Sequence, residues 1–549
     1  MKPNKIERLK SEYHPYDFRE KIFCLDLEDL SEEDRFYLKN WGIYNIKLMP
    51  EKFMLRIRIA GGRVEEGMLS FLFGIAREYH LELLVTARAQ IELHGLNAYN
   101  VLKVWQKLQN ANITTLQTLT DNFRNIVTDP YDGATKENRV EVYSLIMQMQ
   151  TLFLNKEAWM GMLPRKFNVA ISGTQKSHLH FFGNDLYFAL AKKKGEWGFN
   201  LYLGGKNSEV AREADIFVLP HNVPPMFEAV AKAYNTYGLR GSRAKTRLFH
   251  LLSEIGMTAF VEKIAEFYPY TMEKAGALQH EKCTFTSFVE LKDGTFGYCY
   301  QTHFGKLSTK ELEILLDYAK KESLQIRLGV DQNIYLLGLK EKYVPFETDT
   351  GSSHIVACAG SAYCGLSLWD VKAETTYLPL KKIKQHNIQV GFSGCLKGCG
   401  RHHHADIGLV GLRTNVFGDT QKAARVFLGG EYSSGKAAAR LIFHAVPLQH
   451  LSGLLESIIE EFEASSESDF EIFCRMYLNL LSSNFVALWF LAKLYLKVPI
   501  RLALLPEARL YEKLLEHSDF PKSEEDENYI ESIKIMMHAL WDDALTRTS

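Results

Sequence analysis

Four cysteines stand in two close pairs. Cys358 and Cys364 lie in Ala357-Cys358-Ala359-Gly360-Ser361-Ala362-Tyr363-Cys364-Gly365, and Cys395 and Cys399 in Ser393-Gly394-Cys395-Leu396-Lys397-Gly398-Cys399-Gly400-Arg401. Gly, Ala and Ser surround each pair, small enough to let backbone N–H groups approach a bulky, electron-rich object and hydrogen-bond its sulfurs. Four thiolates on two loops are the ligand set of a 4Fe–4S cube. A structural zinc site is the first alternative, but it usually leaves about two to four residues between paired cysteines, and the first pair here leaves five. Disulfides fit poorly with an N-terminus too charged for the apolar core of an export signal. Four unrelated buried thiols would leave the glycines unexplained.

The loops need rigid elements behind them. Short apolar runs around residues 388–392 and 407–412 read as strands flanking the second pair. Further upstream, Leu55-Arg56-Ile57-Arg58-Ile59 alternates like a strand, Gly61-Gly62 makes a turn, and apolar residues recur at helical spacing over 64–79. Strands follow at 81–85 and 90–94. The same order recurs without a gap at an offset of 243 residues, so that Gly62-Arg63-Val64 falls on Gly305-Lys306-Leu307, and Ile91 and Gly95 fall on Ile334 and Gly338. A duplicated ferredoxin-like unit with a pseudo-twofold axis is the natural reading. Between the copies, 167–173 and 199–205 read as buried strands and 223–268 as mainly helical. Residues 1–45 read as a polar arm lying on the body, and the last seventy as helical and Leu-rich, turning acidic at 524–527.

The 549 residues suffice for three or four core-sized units, with 46% hydrophobic and 24% charged residues, as in an ordinary globular protein. A net charge of -1 argues against nucleic acid or an anionic membrane as the main partner. The apolar run 485–496 is shorter than the roughly 20 residues that cross a bilayer and contains Lys493, so a buried or interface helix is expected. Cys24, Cys283, Cys299 and Cys474 are scattered and read as inert thiols in a reducing, cytoplasmic compartment. Gly204-Gly205 lacks the spacing and setting of a nucleotide fingerprint.

The two cysteine pairs, followed by Ala405-Asp406-Ile407-Gly408-Leu409-Val410-Gly411, resemble the sirohaem and 4Fe–4S nitrite/sulfite reductases, and the likeness runs from about residue 45 to about 475. It implies an α+β, trilobed body: duplicated ferredoxin-like half-domains with two α/β domains binding sirohaem and the cluster, plus a helical C-terminal extension. The boundaries expected are 1–45 for the arm, 46–135 and 281–345 for the half-domains, 136–280 and 346–478 for the α/β domains, and 479–549 for the extension. The resemblance makes Cys358, Cys364, Cys395 and Cys399 the cluster ligands, with the Cys399 sulfur shared with the sirohaem iron. It makes Arg58, Arg124 and Lys166 the cations facing substrate. It assigns Arg88, His94, Asn200 and Arg401 to the macrocycle.

Asn168 bears on the substrate. Sulfite-reducing members carry a second lysine two residues after the pocket lysine, and plant-type nitrite reductases carry asparagine. Sulfite is the more highly charged anion, so Lys166-Phe167-Asn168 leans toward nitrite. Two departures from the family pattern stand out: Leu396-Lys397 between the second cysteines, where Lys397 could raise the cluster's potential, and His402-His403-His404, read as macrocycle contacts or surface. The expected activity is six-electron reduction of nitrite to ammonia, with sulfite to sulfide as the alternative. A precorrin-3B synthase-like corrinoid oxidase and a non-enzymatic cluster protein stand further off. With no nucleotide or flavin module evident, electrons are expected from a ferredoxin, or else from a flavoprotein.

Overall fold

The computed structural model describes residues 3–346, 354–415 and 420–517. The chain divides into two compact units, Met1–Ser353 with Ser433–Gly435, and His354–Tyr432 with Lys436–Ser549.

The larger unit contains both copies of the repeat. In the first, Met49–Ile57 pairs antiparallel with Ile91–Leu96, and that strand pairs with Glu82–Val85; the helix Met68–Tyr79 connects them. In the second, Phe296–Tyr300, Ile334–Leu339 and Gln325–Leu328 pair in the same way around the helix Thr309–Lys321. Ser308 and Glu311 cap that helix reciprocally, which satisfies orphan N–H groups of its first turn. The offset of 243 carries Glu82–Val85 and Ile91–Leu96 onto Gln325–Leu328 and Ile334–Leu339 residue for residue.

The left-handed positions also coincide. Gly61 and Phe304 (φ 59 and 53°), Gly62 and Gly305 (72 and 80°), and Ala89 and Gln332 (50 and 69°) occupy equivalent turns. A Cβ on Gly62 would lie 2.2 Å from the Leu328 carbonyl oxygen, and one on Gly305 would lie 2.5 Å from that of Val85, the equivalent atom of the other copy. Each copy therefore presses its glycine against its partner's strand end. Lys306–Leu307 adds a short strand beside Glu82–Val85, and Arg63 bridges Arg327 in return. This reciprocity is the pseudo-twofold expected from the repeat.

Strand parity separates the two faces of the first sheet. Leu55, Ile57, Leu83, Ile91 and Leu93 are wholly buried on one side, and Arg56, Glu92 and His94 share the other. Residues 3–45 do not merely lie on this body. Leu9, Phe18, Ile22, Phe36, Leu38 and Trp41 are buried in the same core, and Ile43–Ile46 pairs with Met49–Ile57. Burying that much apolar area makes the segment part of the unit.

A further sheet of this unit runs Arg212–Val218, Glu196–Leu203, Leu186–Lys193, Phe167–Ser172 and Phe123–Val127, with Ala277–Leu278 added on Leu186–Lys193. Its last three main strands are parallel. The helices Tyr143–Phe153, Val223–Tyr237, Leu248–Ile255 and Met257–Ala265 pack on it through a shared apolar core.

The smaller unit holds a five-stranded sheet in the order Ile355–Ala357, Val390–Ser393, Ile407–Thr414, Gln421–Leu428, Arg440–Pro447. The first three strands are parallel and the rest antiparallel. The helices Leu448–Ser465 and Ser483–Leu496 belong to this unit. Ser483–Leu496 buries Trp489 and Phe490 completely, and Lys493 pairs at 2.6 Å with the buried Glu461. Among the described residues no helix is long and apolar enough to cross a membrane. The acidic run 524–527 lies outside the described residues.

Candidate active site

The cysteine loops grow from the carboxyl ends of two adjacent parallel strands, the place where open α/β sheets hold their ligands. Ala357 is in register with Phe392, which places Cys358 just past one strand and Gly394-Cys395 just past the other. The Gly394 N–H donates to the Cys358 sulfur at 3.1 Å. Cys364 returns through a turn closed by its N–H on the Gly360 carbonyl, 2.9 Å, and Gly360 takes the left-handed φ of 81° that this turn requires. A Cβ on Gly394 would stand 1.8 Å from Ser367 Oγ, and one on Gly400 would stand 2.1 Å from the Phe392 carbonyl oxygen. The glycines are thus sterically required by the loops themselves.

Cys358, Cys364 and Cys395 are half-buried and Cys399 is exposed. Burial, with the neighbouring Cys399 adding to it, pushes the Cys358 thiol up to about 12. Burial raises Cys364 too, and Cys399 and Cys395 contribute. The four sulfurs therefore share one locality. Among the described residues no three Cys, His, Asp or Glu side chains converge as ligands of a single ion. A cube asks for something different, one thiolate at each of four irons, and two loops carrying a sulfur-directed N–H and obligatory glycines fit that demand.

Behind the second loop, His402 is wholly buried with Nδ1 at 3.0 Å from Ser393 Oγ, and the Gly400 N–H donates to that same hydroxyl. Burial, then His403, His404 and Arg425, hold the His402 imidazole down near 3, so it is neutral. His403 Nδ1 lies 2.8 Å from the Ala439 carbonyl and donates to it, and His404 is buried. His402 and His404 pack inside this unit and are not surface residues. Arg401 follows the cluster loop with φ 61°, its N–H donating to the Gly398 carbonyl.

The larger unit gathers cations on one face. Phe123 is in register with Phe167, and both rings are wholly buried in the core. Alternation therefore sends Arg124 and Asn168 to the opposite side of the sheet, and Lys166 immediately precedes the strand Phe167–Ser172. Burial lowers Arg124 well below the ordinary arginine range, and Arg56, Arg88 and Arg165 add to the effect, so four guanidinium groups stand close together. Arg56 Nη2 binds Glu92 at 2.5 Å, and Glu92 in turn meets His94 Nε2 at 2.9 Å. Burial would raise the Glu92 carboxyl, but Arg56 and His94 outweigh it and leave it at about 2. The Nε–H groups of Arg56 and Arg124 are buried and have no partner among the described residues, while the Arg124 Nη groups donate to the Thr118 and Thr120 carbonyls.

The geometry bears on two of the expected site residues. Arg58 is 3% exposed and donates to the carbonyls of Leu116, Arg124, Gln117 and Phe123 at 2.7–3.2 Å. Burial brings it down to about 9. Its fork staples the 116–124 loop, and Arg56, two residues earlier, lies near Arg124 in the cationic cluster. Asn200 is wholly buried, bonded at both ends of its amide to Gly276 and also to Glu213, so it ties its strand to the 276 segment. Arg88 binds Asn184, the Asn125 carbonyl and the Val169 carbonyl, so any grip on a macrocycle carboxylate must share these donors.

Two family models match the chain: the nitrite/sulfite reductase ferredoxin-like half domain over residues 47–111, and the nitrite and sulphite reductase 4Fe-4S domain over 119–269. The ferredoxin--nitrite reductase of Synechococcus elongatus is 28% identical over 503 residues, spanning 85% of this chain and 98% of that protein. This chain carries two domains of the nitrite/sulfite reductase family.

Other family members tell the same story. An assimilatory ferredoxin-dependent nitrite reductase of Haloferax mediterranei is 26% identical over 79% of this chain and 83% of its own. The solved structure of the Mycobacterium tuberculosis NirA protein shares the fold, with a TM-score of 0.76 at 21% identity over 86% of this chain and 98% of that one. The residues matched by the two family models stop short of the cysteines, which the full-length likeness covers. Arg165 and Glu92 join this cluster without a role read from the sequence, and Arg56 joins it although it reads there as a solvated strand-edge residue. The shared parity of Arg56, Glu92 and His94 across a strand pair was the signal available for two of them.

Proposed function

We propose that this member of the nitrite/sulfite reductase family reduces nitrite to ammonia with six electrons from a ferredoxin. The observation that carries the reading is the cationic cluster of Arg56, Arg88, Arg124 and Arg165, with Asn168 on the neighbouring strand and Lys166 just before it. The relatives named above support it.

In this reading Cys358, Cys364, Cys395 and Cys399 would hold a 4Fe–4S cluster, and Cys399, the most exposed of the four, would also serve a sirohaem. Arg401 and Arg88 balance the macrocycle's carboxylates. When bound, these groups supply electrons one at a time and an iron to which substrate attaches. The protein supplies the rest. One cation about 4 Å from an anion contributes roughly 4 kcal/mol at an effective dielectric near 20, so Arg56, Arg124 and Lys166 can offset much of the anion's dehydration. Their N–H groups also hydrogen-bond the oxygens that must be protonated and lost. Asn168 adds a neutral amide where a further cation would favour sulfite. We place the protein in the cytoplasm, since a reducing compartment suits free thiols and an oxygen-sensitive cluster.

The test is turnover of nitrite and sulfite side by side on holoenzyme with reduced viologen, for the native chain and Asn168→Lys. Nitrite should be the better substrate, and the lysine should move the ratio toward sulfite by about tenfold, the equivalent of roughly 1.4 kcal/mol. Sulfite preferred by the native chain, or a ratio unmoved by the lysine, overturns the assignment.

A further inference from the structure

The cationic face is held from behind by a segment with no place in the chemistry above. Between the helices Val223–Tyr237 and Leu248–Ile255 the chain reads Arg240-Gly241-Ser242-Arg243-Ala244-Lys245-Thr246-Arg247. Arg240 donates to the Met162 carbonyl at 3.1 Å. Arg243 grips Asp121 with two bonds of 2.6 Å and reaches the Pro164 carbonyl at 3.3 Å. Arg247 grips Asp185 with Nε and Nη2 at 2.8 and 2.7 Å. Both carboxylates are wholly buried.

Each carboxylate abuts a residue of the site. Asp121 adjoins the loop that carries Arg124 and pairs with Arg165, 3.5 Å away, beside Lys166. Asp185 is the more telling. The strand Leu186–Lys193 begins one residue too late to offer a backbone acceptor to the N–H of Asn168, and the Asp185 carboxylate accepts it instead at 2.8 Å. The oxygen that takes this bond is also the one Arg247 Nη2 binds. A two-point arginine–carboxylate pair has a fixed geometry that a lysine cannot reproduce.

We infer that Arg247, acting through Asp185, is a positioning residue that sets the register of Asn168 and thereby the preference among small anions. Arg243 and Asp121 form a second strut that does the same for the Arg124 and Lys166 loops. This rests on the proposed function for the word "preference"; the mechanical part, that Arg247 holds Asn168, stands apart from it.

The experiment uses holoenzyme with Arg247→Lys and Arg247→Ala, the lysine keeping the charge and losing the fork. Two readouts are taken together: nitrite and sulfite kinetics with reduced viologen, and amide hydrogen exchange of the peptide containing residues 166–170. Expected are a five- to twentyfold rise in nitrite KM, kcat within about twofold, a smaller nitrite-to-sulfite ratio, and faster exchange in that peptide but not in peptides of the smaller unit. Should the alanine variant fail to fold, the lysine variant decides alone. Unchanged KM and ratio with unchanged exchange overturn the inference. So does a loss of kcat in proportion to lost cofactor, which marks a merely structural role. If the native chain reduces neither anion, the functional reading falls, and the exchange result still decides whether Arg247 holds Asn168.

Discussion

Replacing Arg58 and Arg56 by methionine should give opposite phenotypes, although the two are neighbours of equal parity. Arg58 serves four carbonyl oxygens in the interior. A hydrogen bond from a charged donor contributes about 1.5–3 kcal/mol net, and the contributions are not additive. With four acceptors stranded in Arg58→Met, a loss of about 4 kcal/mol is expected, a large part of the roughly 5–15 kcal/mol that holds a domain folded. The melting temperature should fall by on the order of 5 °C or more. Nitrite KM measured well below that temperature should stay within about threefold.

Arg56 has a single charged partner, Glu92, and a buried Nε–H without one. Arg56→Met should melt within about 2 °C of the native chain. Its nitrite KM should rise about thirtyfold, or roughly 2 kcal/mol, since about half the raw attraction of a cation near 4 Å is spent on dehydration. Differential scanning calorimetry and viologen-coupled kinetics on the same preparations decide the matter. Native-like melting with a large KM rise in Arg58→Met, together with an unaltered KM in Arg56→Met, would restore the assignment read from sequence and refute the geometric argument.

Single Cys→Ala changes at 358, 364, 395 and 399 should each abolish cluster-bound iron and sulfide, whereas Cys299→Ala and Cys474→Ala should retain both; iron and sulfide per chain are the assay. Glu92 and Asp121 are held at about 2: burial alone would raise them, Arg56 and His94 lower Glu92, and Lys10, Arg243 and Arg165 lower Asp121. Because the folded values lie below the ordinary ones, the stability each contributes is complete above about pH 4.5 and is lost as pH falls toward 2, each on the order of 2–3 kcal/mol. Denaturant midpoints followed from pH 7 to pH 3 should show this slope, and Glu92→Gln or Asp121→Asn should flatten it. Lys493→Met leaves the buried Glu461 with only Arg501, 3.3 Å away, and the Leu502 N–H as partners and should destabilise the smaller unit by about 1–3 kcal/mol, read from tryptophan fluorescence in urea.

The repeat was legible because it is written in backbone terms. Glycines and turns at fixed offsets mark positive φ, and those constraints outlast side-chain change. The cysteine loops were legible because thiolate spacing and small neighbours act locally. Arg56 and Arg58 are hard to tell apart in the sequence because residues two apart on a strand share a face, and only the strand's end at Ile57 with the turn beyond it separates them. Asn200 and Gly276 are 76 positions apart, so no local pattern announces their bond. The first forty-five residues looked polar because their apolar side chains are widely spaced, and a shared core gave them somewhere to go.

The two copies keep one backbone and two chemistries. Where the first pairs Arg56 with Glu92, the second pairs Cys299 with Tyr335; where the first turns at Arg88, the second turns at Asp331, whose carboxylate takes the Tyr335 hydroxyl at 2.6 Å. An ion welcomed by guanidinium groups in one cradle would meet a phenol and a like charge in the other. Duplication here has given a symmetric frame an asymmetric appetite, with one arm left free to harden into scaffold while the other specialised in the guest.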